Sequence, residues 1–416
     1  MKFIADFHLH SKYSRATSPR MDLENLDKIA KTKGIKVLTI GDFTHPEWFK
    51  NLKEKLKPAE PGLFKLKNSD SGTRFILTTE ISCIYSKGGK VRKIHIVVFA
   101  PNFETVEKIN THLGCIGNLA ADGRPILGLD AKELAKIVLN ISQDCLIVPA
   151  HVMTPWFGIF GSKSGFDSVE ECFEDYSKYI YALETGLSAN PEMIWRIPDG
   201  RKATLISNSD AHSLAKLGRE VNVFDTELSY QKILQAIKTK DPKKFLYTIE
   251  FFPQEGKYHY DGHRKCGISL SPQETKKYNG VCPVCGKPLT IGVLNRVEQL
   301  ADRPKGFKPE NVIPFKSLIP LEEIIAESLK LGVKTKGVEK EYKNLIEKFE
   351  SEFNILLDVS ISDLKAETLA EIAEGIKRLR QGKIFVEPGY DGVYGKIKIF
   401  SKEERNTPIR QKTLFK

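Results

Sequence analysis

Residues 3–10 read Phe3-Ile4-Ala5-Asp6-Phe7-His8-Leu9-His10, and this stretch decides the fold of the first half of the chain. Apolar and polar residues alternate along it, which is typical of a β-strand. In a strand, alternate side chains face the same side. We therefore expect Asp6, His8 and His10 to point one way, so that the first strand presents a row of possible metal ligands.

Six more strand-like segments follow, and each carries or directly precedes a possible metal ligand. The segments and their side chains are 35–43 with Asp42 and, just beyond it, His45; 74–85 with Glu80; 93–100 with His95; 145–150 with His151; 179–186 with Glu184; and 203–208 with Asp210 and His212. Helix-like stretches such as 23–33 and 130–141 lie between them. Repeated strand–helix units with polar residues at the strand ends predict an α/β barrel whose site lies at one mouth.

The residue types in this set indicate metal ions. Imidazoles combined with carboxylates suit zinc, manganese or iron, whereas carboxylates alone would suit magnesium. The set has more ligands than one ion needs, which favours two or three ions that share a bridging carboxylate. A lone buried histidine is more often a hydrogen-bonded core residue, but six of the nine histidines fall at or beside strand ends. For Asp42 or Glu184 taken alone, a structural role remains an open alternative.

Residues 257–289 form a second candidate metal module. Cys282-Pro283-Val284-Cys285 is followed by a glycine and a lysine, which is the knuckle pattern of a zinc ribbon. Cys266 and, three residues before it, His263 would complete a tetrahedral site, with His259 in reserve. We expect one structural zinc there. A redox-active Cys-x-x-Cys pair is the competing interpretation.

Composition bounds the class of protein and its partners. At 416 residues the chain is long enough for two or three domains, and its net charge of +11 favours a polyanionic partner. No apolar run approaches the roughly 18 residues of a membrane span, and no phosphate-binding loop of the ATPase type occurs. We therefore expect neither a membrane nor ATP as a partner. Abundant Lys and Glu favour a thermophilic source. Four scattered cysteines are interpreted as reduced residues of a cytoplasmic protein: Cys83, Cys115, Cys145 and Cys172.

The remaining chain is predicted to be mainly helical and to end in a tail. Helix-like patterns cover 321–331, 339–356 and 364–379, and 383–400 reads as a hairpin. The tail carries Gln411, Leu414 and Phe415, which together are similar to part of a sliding-clamp (PCNA) interaction peptide. A disordered basic tail is the alternative. The predicted domain bounds are 1–245 for the barrel, 246–304 for the zinc module, 305–402 for the helical and hairpin region, and 403–416 for the tail.

Five short motifs resemble those of the polymerase and histidinol phosphatase (PHP) superfamily. They are Asp6-Phe7-His8-Leu9-His10-Ser11, Gly41-Asp42, Thr79-Glu80, His151 and Ser209-Asp210-Ala211-His212. The resemblance covers about residues 1–240. It implies a distorted seven-stranded (β/α)7 barrel that binds up to three metals and cleaves phosphoesters. It does not choose between a small phosphate ester and DNA.

The same resemblance implies how the ligands are shared among ions. One ion would be held by His8, His10, Glu80 and Asp210; a second by Glu80, His95 and His151; and a third by His212 with Asp42 or His45. The candidate catalytic residues are His8, His10, Glu80, Asp210 and His212. Members of the superfamily often have another ligand shortly after the paired histidines, and residues 14–18 supply none here.

The order of modules resembles that of the archaeal endonuclease Q family from end to end. Stretches 117–130, 149–161 and 258–266 carry this likeness. The resemblance implies a DNA repair enzyme that nicks DNA on the 5′ side of uracil, hypoxanthine, xanthine or an abasic site. Two alternatives remain, namely a small-molecule phosphatase on the same barrel and a zinc-dependent DNA-binding adaptor with an inactive barrel. The ribbon and basic charge argue against the first, and the complete ligand set argues against the second.

Lesion recognition predicts a pocket for a base flipped out of the duplex. We expect the glycine-rich loop 114–127 to supply part of that pocket through its main chain, with Asn118 bracing the loop. Trp156 or Phe157 would wall the site. The candidate substrate-binding residues are Gly117, Asn118, Arg124, Trp156 and Phe157. The alternative is that Gly117 and Gly123 merely turn the chain.

Overall fold

The computed structural model describes residues 1–401 together with 403 and 404. The strands are β1 Lys2–Asp6, β2 Val37–Thr39, β3 Leu56–Pro58, β4 Phe64–Leu66, β5 Arg74–Lys87, β6 Lys90–Ala100, β7 Ile126–Leu127, β8 Leu146–Pro149, β9 Ala182–Glu184, β10 Thr204–Ile206, β11 Val221–Asp225, β12 Phe245–Glu250, β13 Asp261–His263, β14 Ile268–Leu270, β15 Phe315–Ser317, β16 Phe385–Glu387 and β17 Lys396–Lys398. The helices are α1 Leu23–Lys33, α2 Pro46–Lys55, α3 Phe103–Gly114, α4 Ala131–Ile141, α5 Val169–Phe173, α6 Pro191–Ile194, α7 Pro198–Lys202, α8 Tyr230–Thr239, α9 Pro272–Lys277, α10 Val293–Leu300, α11 Leu321–Leu329, α12 Lys336–Phe349, α13 Glu352–Leu357, α14 Ile361–Glu367 and α15 Ala370–Arg380.

All seven predicted strand segments contain a strand, and most of them join one mixed sheet. Its main path runs β15-β12-β11-β1-β2-β5-β4-β3, and β6 extends from β5 to β8. β1 pairs in parallel with β2 and antiparallel with β11. The predicted α/β class is therefore confirmed, with a sheet that mixes parallel and antiparallel neighbours.

The sheet departs from simple strand–helix repetition at β5 and β6. These two strands form an antiparallel hairpin that turns at Gly88 and Gly89, both with positive φ. Such φ values favour glycine, so a hairpin forms where we expected a crossover. β9 and β10 pair with each other as a separate parallel unit. Hydrogen bonds from Val152 N to Glu184 O and from Asn222 Nδ2 to Ser207 O link this unit to its neighbours.

The first strand ends earlier than its alternating pattern predicts. β1 stops at Asp6, whose carboxylate accepts hydrogen bonds from the backbone N–H groups of Ser209 and Gly218. The chain beyond is held instead by a bridge between Leu9 and Ala211. His8 and His10 therefore lie just past the strand. They still face one site, because this segment remains extended against the loop that carries Asp210.

Two apolar clusters stabilise the sheet from opposite faces. One contains the alternate residues Phe3, Ala5 and Phe7 of the first segment, together with α8. The other contains the apolar faces of the surrounding helices, such as α1 and α4. α1 begins after Asp22, whose side chain accepts a hydrogen bond from Asn25 N, and ends at Gly34 with φ of 86°. This matches the helix predicted over 23–33.

The second half of the chain contains the predicted helices, but two of them are broken. The pattern over 339–356 corresponds to α12 and α13, which are separated at Glu350, where φ is +70°. The pattern over 364–379 corresponds to α14 and α15. β16 and β17 form the predicted hairpin.

The predicted domain bounds stay a prediction. β12 and β15, which lie on either side of residues 257–289 in sequence, pair with each other in the main sheet. The clamp-like residues Gln411, Leu414 and Phe415 lie outside the described residues. Of the helices described, none has the length and apolarity needed to cross a membrane.

Candidate metal centre

The side chains of His8, His10 and Asp210 converge on one point. Asp210 Oδ1 lies 3.2 Å from His10 Nε2 and 3.7 Å from His8 Nε2. All three atoms are buried and have no hydrogen-bond partner. Buried polar atoms are nearly always satisfied, so three unsatisfied atoms that face one another require an explanation. A bound cation supplies one.

A second group adjoins the first and consists of Glu80, His95 and His151. Glu80 Oε1 lies 2.8 Å from His95 Nδ1 and 3.1 Å from His151 Nε2. Its other oxygen, Oε2, lies 3.2 Å from His10 Nε2. Glu80 therefore stands between the two groups, in the position of a bridging carboxylate.

Glu184 lies behind His8 rather than among the converging atoms. Its Oε1 is 3.0 Å from His8 Nδ1 and accepts a hydrogen bond from Asn208 Nδ2 at 2.8 Å. Its Oε2 accepts from the backbone N–H of His151 at 2.8 Å. A carboxylate on one ring nitrogen fixes the tautomer and leaves the other nitrogen free to bind a metal. Glu184 is thus placed to orient His8.

Asp42 holds the same position relative to His10. Its Oδ1 lies 3.0 Å from His10 Nδ1, and its Oδ2 accepts hydrogen bonds from Ser11 N and from Ser14 Oγ. Both oxygens are therefore occupied. A side chain at position 123 would overlap Asp42 Oδ2, so Gly123 leaves the space that Asp42 needs.

Burial and charge set the ionisation of this cluster. Burial alone would lower the pKa of His8, but the carboxylates of Glu184 and Glu80 outweigh it and raise the pKa well above its usual value. Burial lowers the pKa of His95 to about 4, against the pull of Glu80. Burial alone would raise the pKa of Glu80, but nearby histidines and Arg124 hold it well below its usual range. The Glu80 carboxylate is therefore ionised, as a metal ligand must be.

The donor set fits divalent cations. Each of the two groups offers imidazole nitrogens and a carboxylate oxygen, and the ligand atoms of each group lie within 4.8 Å of one another. Mixed nitrogen and oxygen donors suit zinc, manganese or iron.

The third predicted ligand set is not brought together among the described residues. His212 lies beside the first group, with its ring 4.5 Å from that of His10 and its Nδ1 2.9 Å from Asp210 O. His45 instead stacks on Tyr13, with ring centroids 4.4 Å apart. Asp42 is occupied by His10 and the two serines. A ligand set that includes these residues would need them to move.

The predicted substrate-binding residues lie on two sides of the centre. Arg124 Nη1 donates to Glu80 Oε2 at 3.0 Å. The Phe157 ring lies 4.2 Å from that of His95, and Trp156 is about half exposed beside Lys93. Asn118 Oδ1 accepts from Ala120 N, as expected of a residue that braces its loop.

An open cavity of about 990 Å³ borders the same loop. It lies between α2, α3 and residues 114–120, with Thr44 and Asn110 among its lining residues. Thr44 Oγ1 donates to Gly123 O, and the buried Asn110 Oδ1 has no hydrogen-bond partner.

The zinc module assembles the four predicted ligands. The ligand atoms of His263, Cys266, Cys282 and Cys285 lie within 4.8 Å of one another. Cys282 is buried, and N–H groups of Cys285 and Val284 hydrogen-bond to its sulfur, which together outweigh burial and lower its pKa to about 6. A sulfur held as thiolate by backbone donors fits a structural zinc. The reserve candidate His259 is buried outside this group.

Sequence reasoning missed the residues that hold the ligands in place. Asn208 and Ser14 contact Glu184 and Asp42, and Arg219 donates to the carbonyl of Asp210. Ser14 lies within residues 14–18, which we considered from the sequence only as a source of a further metal ligand. These are polar residues in loops, and their spacing in the sequence does not indicate which side chains they contact.

Comparison with known proteins shows two solved structures that match the chain over almost its full length. A crystal structure of the lesion-specific endonuclease PfuEndoQ from Pyrococcus furiosus matches 98% of this chain and 98% of its own, with 31% identity and a TM-score of 0.86. A crystal structure of endonuclease Q with a 27-mer duplex that carries an abasic lesion at the active site matches 99% of both chains, with 31% identity and a TM-score of 0.84.

Two partial matches agree with this placement. Residues 320–383 match the family model of the MJ0043 C-terminal domain. The uncharacterised protein MJ0043 of Methanocaldococcus jannaschii is 37% identical over 256 residues, which are 59% of this chain but only 31% of that protein.

The mixed α/β sheet and its buried cluster of histidines and carboxylates are those of a metal-dependent hydrolase. The end-to-end match makes the assignment narrower: the chain belongs to the endonuclease Q family.

Proposed function

We propose that the chain is a metal-dependent DNA endonuclease that hydrolyses the phosphodiester on the 5′ side of a deaminated base or an abasic site. The observation that carries this proposal is the convergence of unsatisfied buried ligand atoms from His8, His10 and Asp210 in a chain that matches endonuclease Q over its full length. Its substrates would be uracil, hypoxanthine and xanthine in DNA, besides abasic sites.

The chain's own residues would hold and orient the reacting groups. When bound, divalent ions lower the pKa of a water ligand and polarise the phosphoryl oxygens. His8, His10 and Asp210 would hold one ion, and His95 and His151 a second, with Glu80 shared between them. Zinc, manganese or iron suits this donor set, and magnesium remains a candidate for a more carboxylate-rich position. His212 is the residue best placed to join a third.

Arg124 would bind the scissile phosphate. Its guanidinium bonds to Glu80 and is 25% exposed, so it faces both the centre and solvent. Arginine presents a fork of donors that suits phosphate oxygens. With cations neutralising Glu80, the guanidinium would be free to contact the substrate.

The lesion pocket would lie along the loop 114–127. Uracil and hypoxanthine each present a carbonyl and a ring N–H, where their parent bases cytosine and adenine present an amino group and an acceptor. Backbone groups of this loop offer fixed donors and acceptors, unlike an amide side chain, which can flip. The cavity of about 990 Å³ beside residues 114–120 has room for a flipped base. Trp156 or Phe157 would wall the site on the other side of the centre, outside this cavity.

The remaining modules would bind DNA and partners. Zinc at His263, Cys266, Cys282 and Cys285 would be structural, and the basic surface around it would contact phosphates. Binding of PCNA through the tail, a thermophilic source and a cytoplasmic location stay proposals from the sequence.

A gel assay on matched duplexes tests the proposed substrate class. We expect a nick on the 5′ side of uracil and none in the duplex that carries cytosine instead. Release of phosphate from p-nitrophenyl phosphate without nicking would favour the small-molecule phosphatase. DNA binding with neither reaction would favour the inactive adaptor.

A further inference from the structure

Arg219 contacts the loop that carries Asp210 and is absent from every motif of the sequence. It lies just before β11, and its guanidinium is partly buried. Nε donates to Ser209 O at 2.8 Å, and Nη2 donates to Asp210 O at 3.2 Å. One side chain therefore binds two successive backbone carbonyls at the metal centre.

The conformation of Asp210 needs such support. Its φ of +45° lies in the left-handed region, which residues other than glycine rarely adopt. Strained backbone persists only where surrounding contacts hold it. In this conformation the carboxylate reaches His10 Nε2 at 3.2 Å, and a rotated peptide would carry it elsewhere.

Other contacts fix the two ends of this loop. Ser209 N donates to Asp6 Oδ1 at 3.1 Å, and His212 Nδ1 lies 2.9 Å from Asp210 O. The first bond anchors the residue before Asp210. The second involves a residue that is itself close to the centre. Arg219 joins these two points, because it binds the carbonyls of the two peptide groups that flank Asp210.

We propose that Arg219 is a positioning residue for the metal centre, which holds the Asp210 loop so that the carboxylate meets His8 and His10. The proposal rests on the proposed function, since it assumes that these three residues bind a cation. Arg219 itself would touch neither the metal nor the substrate.

The test is a titration of the metal-free full chain with Mn²⁺, followed by electron paramagnetic resonance. Asp210→Asn identifies which bound ion belongs to this group. We expect Arg219→Ala to lower the affinity for that ion by at least about tenfold, which is the range seen when residues behind metal ligands are removed. Arg219→Lys should recover part of the loss, because its ammonium can bind a carbonyl.

Arg196→Ala is the matched control, because Arg196 is also an arginine shielded from solvent, with its guanidinium paired with Glu298 at 2.7 Å. It should lower the melting temperature without changing the Mn²⁺ affinity. An Arg219→Ala protein that is folded and binds Mn²⁺ within about twofold of wild type would overturn the proposal. Should that variant not fold, Arg219→Met replaces it, because methionine keeps an unbranched side chain but has no donor, and Mn²⁺ affinity within about twofold of wild type would overturn the proposal equally. If Asp210→Asn removes no ion, the proposed function fails as well.

Discussion

Glu184 binds His8 through the ring nitrogen that faces away from the metal centre. Its Oε1 lies 3.0 Å from His8 Nδ1, while His8 Nε2 faces Asp210 Oδ1 at 3.7 Å and has no hydrogen-bond partner. Asp42 repeats this arrangement at His10. The two carboxylates therefore fix the ring orientation of both histidines and leave each Nε2 facing Asp210.

Glu184→Gln is expected to weaken metal binding by about 10- to 100-fold, because an amide can present a donor to Nδ1 and so favour the wrong tautomer. Calorimetric titration of the metal-free protein measures the change. Glu192→Gln, at an exposed position on α6, is the control and should bind metal as the wild type does. Equal affinities in the two variants would contradict an orienting role.

Gly123→Ala is expected to reduce both metal affinity and DNA cleavage. Its added methyl group would overlap Asp42 Oδ2 and Ser14 Oγ, and so displace the carboxylate that orients His10. We expect a loss of about tenfold or more in affinity. Gly128→Ala is the matched control, since an added methyl group at position 128 meets nothing within 4 Å. Wild-type affinity in Gly123→Ala would show that Asp42 can move without consequence.

Metal stabilisation is expected to grow as the pH rises. The pKa values of His8 and His10 are raised in the metal-free fold by neighbouring carboxylates, which outweigh burial. A raised pKa contributes stability that is fully present below the unfolded value, about 6.5, and lost as the pH rises through the folded pKa. A cation replaces those protons, so it binds more tightly at higher pH.

The measurement is the difference in melting temperature between Mn²⁺-loaded and metal-free protein between about pH 6 and pH 9, where histidines titrate. A difference that shrinks as the pH rises would contradict the expectation that the cation replaces protons on His8 and His10.

Cys282→Ser is expected to remove one zinc per chain and to lower the melting temperature, because a structural zinc contributes folding energy to its module. Elemental analysis of the full chain counts the ion. Cys115→Ser is the control, since Cys115 is an exposed thiol outside the module. An unchanged zinc content in Cys282→Ser would refute the predicted ligand set.

Much of the fold was predictable because hydrophobic alternation is a local signal. It located all seven strands and, within or just beyond them, the candidate ligands His8, His10, Glu80, His95, His151 and Asp210. The early end of β1 was not predictable, because it depends on Ser209 and Gly218, which are far along the chain from Asp6. The β5–β6 hairpin has a local signal in Gly88 and Gly89, but the expectation of repeated strand–helix units passed over it. The positions of Asp42 and Glu184 behind the histidines are likewise tertiary. Their residue type predicted that Asp42 and Glu184 are metal ligands. Only the distances show that Glu184 contacts His8 Nδ1 and that Asp42 contacts His10 Nδ1.

We propose that the chain cleaves DNA at a lesion with the help of a cation that His8, His10 and Asp210 would hold. The most direct measurement of this activity is the nicking of a uracil-containing duplex by metal-loaded wild type and by Asp210→Asn, freed of wild-type contamination. Asp363→Asn, which changes an exposed aspartate on α14, is the control. We predict that wild type and Asp363→Asn nick the strand on the 5′ side of uracil, and that Asp210→Asn remains folded and inactive. Full cleavage by Asp210→Asn would contradict the account.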